Sequence, residues 1–333
     1  MSEPLEVSPR VRILRELGKD PGAYVSGGLL SEMLGVSRVT VWKYFEQLRE
    51  DGFEFEAARK RGYRILKTPV NSHEDWLRAL ILDAGLNDVS ASVFENLDST
   101  NSEAERWLSK GGRTPHFIVA RSQSAGRGRQ GREWKSETEG NLYLSAVFRP
   151  DLLPSQMQLF TLWAGLHVAR ALRTFDERIQ IKWPNDLWIE GSKCAGMLTE
   201  ARIDADRTRD LIFGLGLNIN FAPTADGVQS AKLVGEEASL LPVTRIAARV
   251  IAAIMEAYDS LREKSASKCL AALWPAYDLL LGKEVEMTEG NRRVQGVGRG
   301  IREDGALRLE LPDGEMRYIH SGEVRHVRPN LSK

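Results

Sequence analysis

The first 67 residues hold three short helical patterns followed by two strand-like segments, and this order limits the fold more than any other feature of the chain. The segments 53–55 and 63–65 alternate apolar and charged residues and predict the two strands of a hairpin. Three helices and a hairpin in this order predict a helix-turn-helix with a wing. The residues expected at helix ends are present, with Pro9 and Ser37 as starts and Gly18 and Gly35 as ends.

The third helical pattern has one apolar and one polar face, and the tip of the hairpin is basic. Val41, Phe45 and Leu48 recur at helical spacing and predict the buried side. In winged helices that bind DNA, the third helix enters a groove and the wing contacts phosphates, so cations are expected at both places. The predicted DNA-binding residues are Arg38, Thr40, Lys43 and Gln47 on the helix and Arg59, Lys60 and Arg61 on the wing. The alternative is a small helical domain whose charged face only contacts water.

Composition limits the kind of protein and its environment. The 333 residues include 46 Lys or Arg and 46 Asp or Glu, so any charge-driven site has to be local. The two cysteines, Cys194 and Cys269, are too few for a disulfide framework or a cysteine-rich zinc site. No apolar run reaches the roughly 18 residues of a membrane span. We therefore expect a cytoplasmic protein of about two domains.

From about residue 75 to residue 275 the chain alternates strand-like and helical segments. Strands are predicted over 117–120, 141–148, 179–183, 194–201 and 211–220, and helices over 155–175 and 244–263. This alternation indicates an α/β or α+β domain and does not choose between a parallel and a mixed sheet. Thr100 and Glu103 have the spacing of a capping box, which predicts that the Thr100 side chain caps a helix.

The segment Gly126–Arg132, called the arginine loop below, is the most informative chemical feature. Together with Arg121 it gathers four arginines and no acid within twelve residues. Glycine lets backbone N–H groups approach an anion and arginine presents planar paired donors, so the loop predicts phosphate or carboxylate binding. It matches G-x-G-x-x-G, but a dinucleotide-binding turn opens an apolar helix, whereas the polar residues 133–140 follow here. The alternative is a flexible basic surface loop.

Three further segments place polar or small residues at strand ends. Lys182-Trp183-Pro184-Asn185-Asp186 ends an apolar strand, so its last two residues emerge at the rim of the sheet. Lys193 precedes a strand that begins with small residues. Gly214 and Gly216 interrupt another strand, which indicates a bulge or the close approach of a ligand.

The order and spacing of these segments resemble the biotin protein ligases, in the bifunctional bacterial form that also represses the biotin operon. The resemblance covers essentially the whole chain. The arginine loop followed by Lys-Trp-Pro-Asn-Asp is highly specific to this family. The matching segments are Ser99-Thr100-Asn101, Gln123 to Trp134, Asn141 to Ser145, Lys182 to Asp186, Lys193 to Gly196 and Gly214 to Asn218.

The resemblance implies an α+β protein with three domains. It implies a winged helix-turn-helix over residues 1–67, a linker over 68–80 and a catalytic domain over 81–278. The catalytic domain would have a mixed sheet like that of class II aminoacyl-tRNA synthetases, and an SH3-like β-barrel would follow over 279–333. Short strand-like segments from Gly282 to Val327 agree with the barrel, with turns at Gly290-Asn291, Asp304-Gly305 and Pro312-Asp313-Gly314.

The resemblance also implies a reaction in two steps. The carboxylate of biotin attacks the α-phosphate of ATP, bound with Mg²⁺, to give biotinyl-5'-AMP and pyrophosphate. A lysine of the biotin carboxyl carrier domain of a carboxylase then takes the biotinyl group and releases AMP. Both steps crowd negative charge, which the arginine loop would offset. The other implied partners are operator DNA and a second copy of the chain, in a homodimer promoted by the adenylate.

By resemblance, the site residues form three overlapping groups. Biotin would contact Ser99, Thr100, Asn101, Gln123, Arg127, Gly128, Arg129, Lys193, Gly196, Gly214 and Gly216. The nucleotide would contact Arg127, Arg132, Trp134, Lys182, Asn185 and Asn218. The implied catalytic residues are Arg129, Lys182, Asp186 and Lys193. Asp186 either binds Mg²⁺ or orients the acceptor lysine, and the sequence leaves both roles open.

Three alternatives stay open at this point. A lipoate protein ligase performs a similar adenylation on another acid, but it should lack the arginine loop as written. A transcription factor could sense biotin without catalysis, or the winged helix could support a ligase without binding DNA. Biotin-dependent release of pyrophosphate and a gel shift with DNA would separate these alternatives.

Overall fold

The computed structural model describes residues 7–20, 22–150, 153–204, 207–223, 230–233, 239–261, 266–290 and 292–328. The end of the predicted helix over 244–263, Asn291 of a predicted turn, and the outer ends of the first and last predicted domains lie outside these ranges. Within them, no helix combines the length and the apolar character needed to cross a membrane.

Three helices and a hairpin form the N-terminal part, as predicted. α1 spans Pro9–Gly18, α2 spans Gly27–Leu34 and α3 spans Arg38–Glu50, and β1 (Glu54–Ala58) pairs antiparallel with β2 (Gly62–Lys67). Ser37 caps α3 as predicted, because its Oγ accepts a hydrogen bond from the Thr40 N–H at 3.1 Å. The predicted buried face of α3 is confirmed, since Val41, Phe45 and Leu48 are all buried.

The helix α4 (Glu74–Asp83) connects the N-terminal part to the rest of the chain. Its Trp76 is buried in the same apolar cluster as the inward side chains of α1 and α3. His73 caps α4 by accepting from the Trp76 N–H at 3.3 Å, and its own N–H donates to Thr244 Oγ1 at 3.1 Å. Helical structure thus begins inside the segment predicted as a linker, because Trp76 completes the winged-helix core. The domain boundaries themselves stay a prediction.

A seven-stranded sheet forms the centre of the molecule. Its strands lie in the order β3-β4-β5-β9-β8-β7-β6, and only the β3–β4 pair is parallel. The mixed sheet of an α+β protein is therefore confirmed. The strands are β3 (Ser90–Leu97), β4 (His116–Gln123), β5 (Leu142–Phe148), β6 (Gln180–Lys182), β7 (Asp186–Ile189), β8 (Ser192–Asp204) and β9 (Arg207–Leu217).

Helices cover both faces of this sheet. α6 (Pro154–Leu172) and α7 (Val243–Ser260) pack on one face, with α8 (Ala266–Leu273) beside α6. α5 (Thr100–Ser109) packs on the other face. Side chains alternate between the faces along each strand, so that Phe213 packs against Phe160 of α6 while its neighbour Ile212 lies in the cluster under α5.

A five-stranded antiparallel sheet follows, in the order β13-β12-β11-β10-β14. This sheet is consistent with the predicted small barrel. It contacts the central domain, where the indole Nε1–H of Trp183 donates a hydrogen bond to the Gly305 carbonyl at 3.1 Å. The strands are β10 (Glu284–Glu289), β11 (Arg292–Ile301), β12 (Leu307–Glu310), β13 (Met316–Ile319) and β14 (Glu323–Arg328).

Candidate active site

A single cavity of about 880 Å³ brings together every residue that the sequence predicts for ligand binding and catalysis. Its walls come from the N-terminus of α5, the arginine loop, the β6–β7 turn, and the facing parts of β8 and β9. The predicted residues that line it are Ser99, Thr100, Asn101, Gln123, Arg127, Gly128, Arg129, Arg132, Trp134, Lys182, Asn185, Asp186, Lys193, Gly196, Gly214, Gly216 and Asn218.

Three glycines of β8 and β9 form the floor of the cavity. Gly196 pairs with Gly216 across the two strands, and the Trp134 ring lies directly on both. A β-carbon at Gly216 would overlap the Trp134 indole, and one at Gly214 would overlap the Asn101 amide. β9 runs through Gly214 and Gly216 without a register shift, so the predicted bulge is absent, and the glycines instead allow the close approach of the Trp134 and Asn101 side chains.

The polar end of the cavity is a hydrogen-bonded group at the start of α5. Thr100 N–H donates to Gln123 Oε1 at 2.7 Å, and Asn101 Nδ2 donates to Glu200 Oε2 at 2.6 Å. Ser145 Oγ lies 2.8 Å from Thr100 Oγ1 and 2.5 Å from Asn101 Oδ1. Sequence reasoning did not assign Ser145 or Glu200, although Ser145 lies in a matched segment.

The predicted capping box at Thr100 is wrong. The N-cap residue is Ser99, whose side chain makes no capping hydrogen bond, and Thr100 is the first helical residue. The side chain of Gln123, from the end of β4, accepts from the backbone N–H of Thr100 instead. A local spacing rule fails here because an acceptor distant in sequence occupies the helix N-terminus.

The arginines of the arginine loop have acceptors on other elements. Arg127 Nη2 lies 2.8 Å from Glu105 and 2.9 Å from Glu200. Arg129 Nη1 donates to Asn185 Oδ1 at 3.0 Å. Arg132 Nη2 lies 2.6 Å from Glu323, which ties the loop to the C-terminal sheet.

Two lysines and one carboxylate line the cavity at the β6–β7 turn and at the start of β8. Lys193 Nζ is 2.8 Å from Asp186 Oδ1 and 5.4 Å from the centroid of the Trp134 ring. Lys182 Nζ is 4.4 Å from the centroid of the Trp188 ring. Burial lowers the pKa of Lys182, while the charge of Asp186 opposes that shift.

Several lining residues were missed by sequence reasoning. Trp188 follows the Lys-Trp-Pro-Asn-Asp segment by two positions, so its place on the same hairpin was a usable signal. Gly322, Glu323, Val324 and Arg325 reach the cavity from the C-terminal sheet. No local pattern could have placed that sheet beside the arginine loop, because the contact joins residues 191 positions apart.

Metal binding by the protein alone is not supported in the ranges that the structure covers, where no three His, Cys, Asp or Glu side chains cluster. A Mg²⁺ ion that accompanies nucleotide phosphates needs only one or two protein carboxylates. Asp186 fits such a role. Cys194 is buried in β8 and burial raises its pKa to about 12, as expected of a strand residue rather than a nucleophile.

The predicted DNA-binding residues lie on the winged helix, away from the cavity. Arg38, Lys43 and Gln47 are exposed on α3 and Thr40 is half-buried, while Arg59, Lys60 and Arg61 are exposed at the hairpin turn. The guanidinium carbon of Arg61 lies 4.0 Å from the centroid of the Tyr24 ring. Sequence reasoning missed this contact, and it also missed Val39 and Trp42, which are exposed on α3.

Comparisons with known proteins agree with this arrangement along the chain. The model of the biotin/lipoate A/B protein ligase family matches residues 93–218, an HTH domain model matches residues 9–64, and the biotin protein ligase C terminal domain model matches residues 280–327. The bifunctional ligase/repressor BirA of Bacillus subtilis is 31% identical over 306 residues, which cover 90% of this chain and 93% of that protein. The chain belongs to the BirA family of bifunctional ligase/repressors. The resemblance inferred from the motifs is therefore confirmed.

Other members and solved structures are also similar to this chain. The BirA of Escherichia coli is 30% identical over 308 residues, which cover 91% of this chain and 93% of that protein. The biotin protein ligase from Aquifex aeolicus, solved in complex with biotin and ATP, is 27% identical with a TM-score of 0.61. That match covers 71% of this chain and 98% of the Aquifex protein.

Proposed function

We propose that this protein ligates biotin, with ATP, to a specific lysine of a biotin carboxyl carrier domain, through biotinyl-5'-AMP. The observation that carries this proposal is the convergence, in one cavity, of a polar pocket, a glycine floor and a group of Arg and Lys side chains. We also propose that the protein with bound biotinyl-5'-AMP represses genes of biotin synthesis or transport, in the cytoplasm.

The first step joins two anions, and the basic side chains of the cavity offset their repulsion. An oxygen of the biotin carboxylate bonds to the α-phosphorus of MgATP, and the bond from that phosphorus to the bridging oxygen breaks as pyrophosphate leaves. Lys193, Arg129 and Lys182 supply the positive charge that stabilises the crowded phosphates. The Lys193–Asp186 ion pair holds the ammonium in the cavity before the substrates arrive.

The biotin pocket is assigned to the polar group at the start of α5. A buried ureido ring needs hydrogen-bond partners, because an unpaired polar group costs about 1 to 3 kcal/mol. Thr100, Asn101 and Gln123 supply such partners, with Ser99 at the rim. Their orientations are held by the Thr100–Gln123 hydrogen bond and by hydrogen bonds to Glu200 and Ser145. The floor glycines Gly196, Gly214 and Gly216 let the Trp134 ring and the Asn101 amide lie close against the strands, which sets the width of the cavity.

The nucleotide is assigned to the other end of the cavity. Trp134 offers its ring to the adenine, and the buried Oδ1 of Asn218, which has no partner in the described part of the chain, is a free acceptor for the adenine amino group. Arg127, Arg132, Lys182 and Asn185 surround the phosphates, with Gly128 in the backbone of the loop. Asp186 binds Mg²⁺ or orients the acceptor lysine.

In the second step, the lysine amine of the carrier domain attacks the acyl carbon of the mixed anhydride. An amide bond forms, the bond from the acyl carbon to the phosphate oxygen breaks, and AMP leaves with that oxygen while the amine loses a proton. We expect the arginine loop, which is held together by the Gly128 N–H to Arg132 carbonyl hydrogen bond of 2.7 Å, to shield the adenylate from water until this attack.

Repression is assigned to the winged helix. Exposed cations on both α3 and the hairpin turn suit contacts with two phosphate groups of one DNA duplex. A homodimer promoted by biotinyl-5'-AMP would place two winged helices on a two-fold operator.

The decisive experiment measures transfer of radiolabelled biotin to a carrier-domain peptide, together with pyrophosphate release. We expect biotin-dependent pyrophosphate release and label on a single lysine. Transfer of lipoate in place of biotin, or binding of biotin without pyrophosphate release, would overturn the ligase proposal. A gel shift with DNA from upstream of a biotin gene cluster tests repression separately, and binding that does not increase with biotin and ATP would contradict it.

A further inference from the structure

The hairpin formed by β6 and β7 presents one polar and one apolar face. Lys182 pairs with Asp186 and Gln180 pairs with Trp188 across the two strands, so these four side chains share a face. The opposite face is buried, with Ile181 and Leu187 inside the core. Lys182 and Trp188 are diagonal neighbours, close enough for long and aromatic side chains to touch.

The ammonium of Lys182 lies over the indole ring of Trp188. Nζ is 4.4 Å from the ring centroid, within the range of a cation–π contact. In the parts of the chain that the structure describes, no carboxylate lies within ion-pair distance of Lys182 Nζ, because Asp186 pairs with Lys193 instead. The charged groups that act on Lys182 are Asp186 and Glu323, which favour the ammonium, and Lys193, which disfavours it.

Two ammonium groups thus share one cavity, in which Asp186 pairs with Lys193 and Glu323 pairs with Arg132. Burial acts on the Lys182 ammonium more strongly than Lys193 does, so without a further attraction the flexible side chain would turn toward water. The negative face of an aromatic ring attracts a cation without neutralising its charge. The ring of Trp188 therefore holds the ammonium in the cavity and leaves its full charge for an incoming anion.

We propose that Trp188 is a positioning residue that holds Lys182 in place for the phosphates of ATP. The proposal rests on the proposed function, in which Lys182 binds those phosphates. It adds a residue that neither the motifs nor the predicted site includes, and it assigns the effect of Trp188 to nucleotide binding rather than to biotin binding.

The test replaces Trp188 by Leu and by Phe and measures biotin-dependent pyrophosphate release by the full chain in the presence of the carrier-domain peptide, so that the enzyme turns over. For Trp188→Leu we expect the KM for MgATP to rise about tenfold, with the KM for biotin within about twofold of wild type, because only the phosphate contact is weakened. Trp188→Phe keeps an aromatic face and should restore the KM for MgATP to within about threefold. The proposal would be overturned if the KM for MgATP rose equally in the Leu and Phe variants, or if Trp188→Leu raised the KM for biotin as much as the KM for MgATP.

A double-mutant cycle shows whether Trp188 acts through Lys182. In a Lys182→Met background, Trp188→Leu should change the KM for MgATP by less than about twofold, since the ammonium is already absent. If the factors by which the two substitutions raise the KM for MgATP simply multiply in the double variant, the proposal is overturned. If the wild-type chain releases no pyrophosphate, the proposed function fails, whereas an active wild type with the wrong variant pattern overturns this inference alone.

Trp107→Leu is the matched control. Trp107 is also half-buried, but it does not line the cavity. Its ring stacks on that of His116, with the two ring centroids 3.8 Å apart. Its loss should lower thermal stability without changing the KM for MgATP. Thermal unfolding of every variant, with and without biotin, identifies any substitution that prevents folding. If Trp188→Leu does not fold, a Trp188→Phe variant whose KM for biotin rises as much as its KM for MgATP still overturns the proposal.

Discussion

Gly216 of β9 lies so close beneath the Trp134 indole that a β-carbon at this position would overlap the ring nitrogen. Gly214, two residues earlier on the same strand, has the same relationship to the Asn101 amide. Because residues two apart on a strand share a face, both glycines point into the cavity. The strand β9 therefore determines how closely Trp134, at one end of the cavity, and Asn101, at the other, approach the sheet.

The first prediction uses these two glycines as controls for each other. Gly216→Ala should raise the KM for ATP about tenfold or more with little effect on biotin, because the added methyl group displaces Trp134. Gly214→Ala should do the reverse by displacing Asn101. Steady-state pyrophosphate release in the presence of the carrier-domain peptide, with each substrate varied in turn, measures both constants. If both variants raise both constants equally, the division of the cavity between biotin and nucleotide is wrong.

The second prediction concerns retention of the adenylate by Arg129. Arg129→Gly removes a guanidinium and its 3.0 Å hydrogen bond to Asn185, so biotinyl-5'-AMP should leave at least about tenfold faster and label bystander lysines. Release of the labelled adenylate from the isolated complex measures this rate. Gln130→Gly is the control, because it adds a glycine to the same loop and keeps every arginine. Equal retention by Arg129→Gly and wild type would refute the role of this side chain.

The third prediction is a pH dependence of stability at Asp278, where the central domain meets the C-terminal sheet. This buried carboxylate accepts from the Leu280 N–H at 2.8 Å, and burial raises its pKa to about 6. The folded state then binds the proton more tightly than the unfolded state, so the free energy of unfolding falls as pH rises from about 4 to about 6 and stays low above that.

Asp278→Asn should remove the fall in the free energy of unfolding between about pH 4 and pH 6 while keeping the hydrogen bond to Leu280. The variant should be more stable than wild type by about 3 kcal/mol near pH 8, and the difference should fall below about 1 kcal/mol near pH 4. Urea unfolding at the two pH values measures both differences. A stability difference that does not change with pH would show that Asp278 is ionised in the folded protein throughout.

The fourth prediction concerns the wing. Arg61→Ala should weaken DNA binding and reduce the salt slope of log K by about 1, because one phosphate contact is lost. Tyr24→Ala should weaken binding less and in the same direction, since the Tyr24 ring lies 4.0 Å from the Arg61 guanidinium. Fluorescence anisotropy over a range of salt concentrations measures the slope, with Lys110→Ala in the catalytic part of the chain as the control. Binding by Arg61→Ala with the wild-type slope would remove the wing from the DNA interface, and ligase activity should be unchanged in every case.

Much of the site could be predicted because its residues lie in short segments of strong chemical character. The arginine loop and the segment Lys182 to Asp186 combine charged residues with glycine and proline, a composition that a buried hydrophobic core does not require. The helix cap of Ser37 and the buried face of α3 also followed from local rules, since each involves residues within one or two helical turns. Trp188 could have been found by the same reasoning extended by two residues.

The sequence by itself determined which side chains carry the chemistry and where many of the helices and strands occur, because those depend on neighbours within a few positions, but it did not predict α4, β3 or β7. The tertiary structure decided which distant groups meet: Gln123 instead of Thr100 at the start of α5, Trp76 in the core of the winged helix, and Glu323 beside Arg132. The physical reason is that such contacts arise from burying apolar surface between elements far apart in the chain, and local spacing carries no information about that choice.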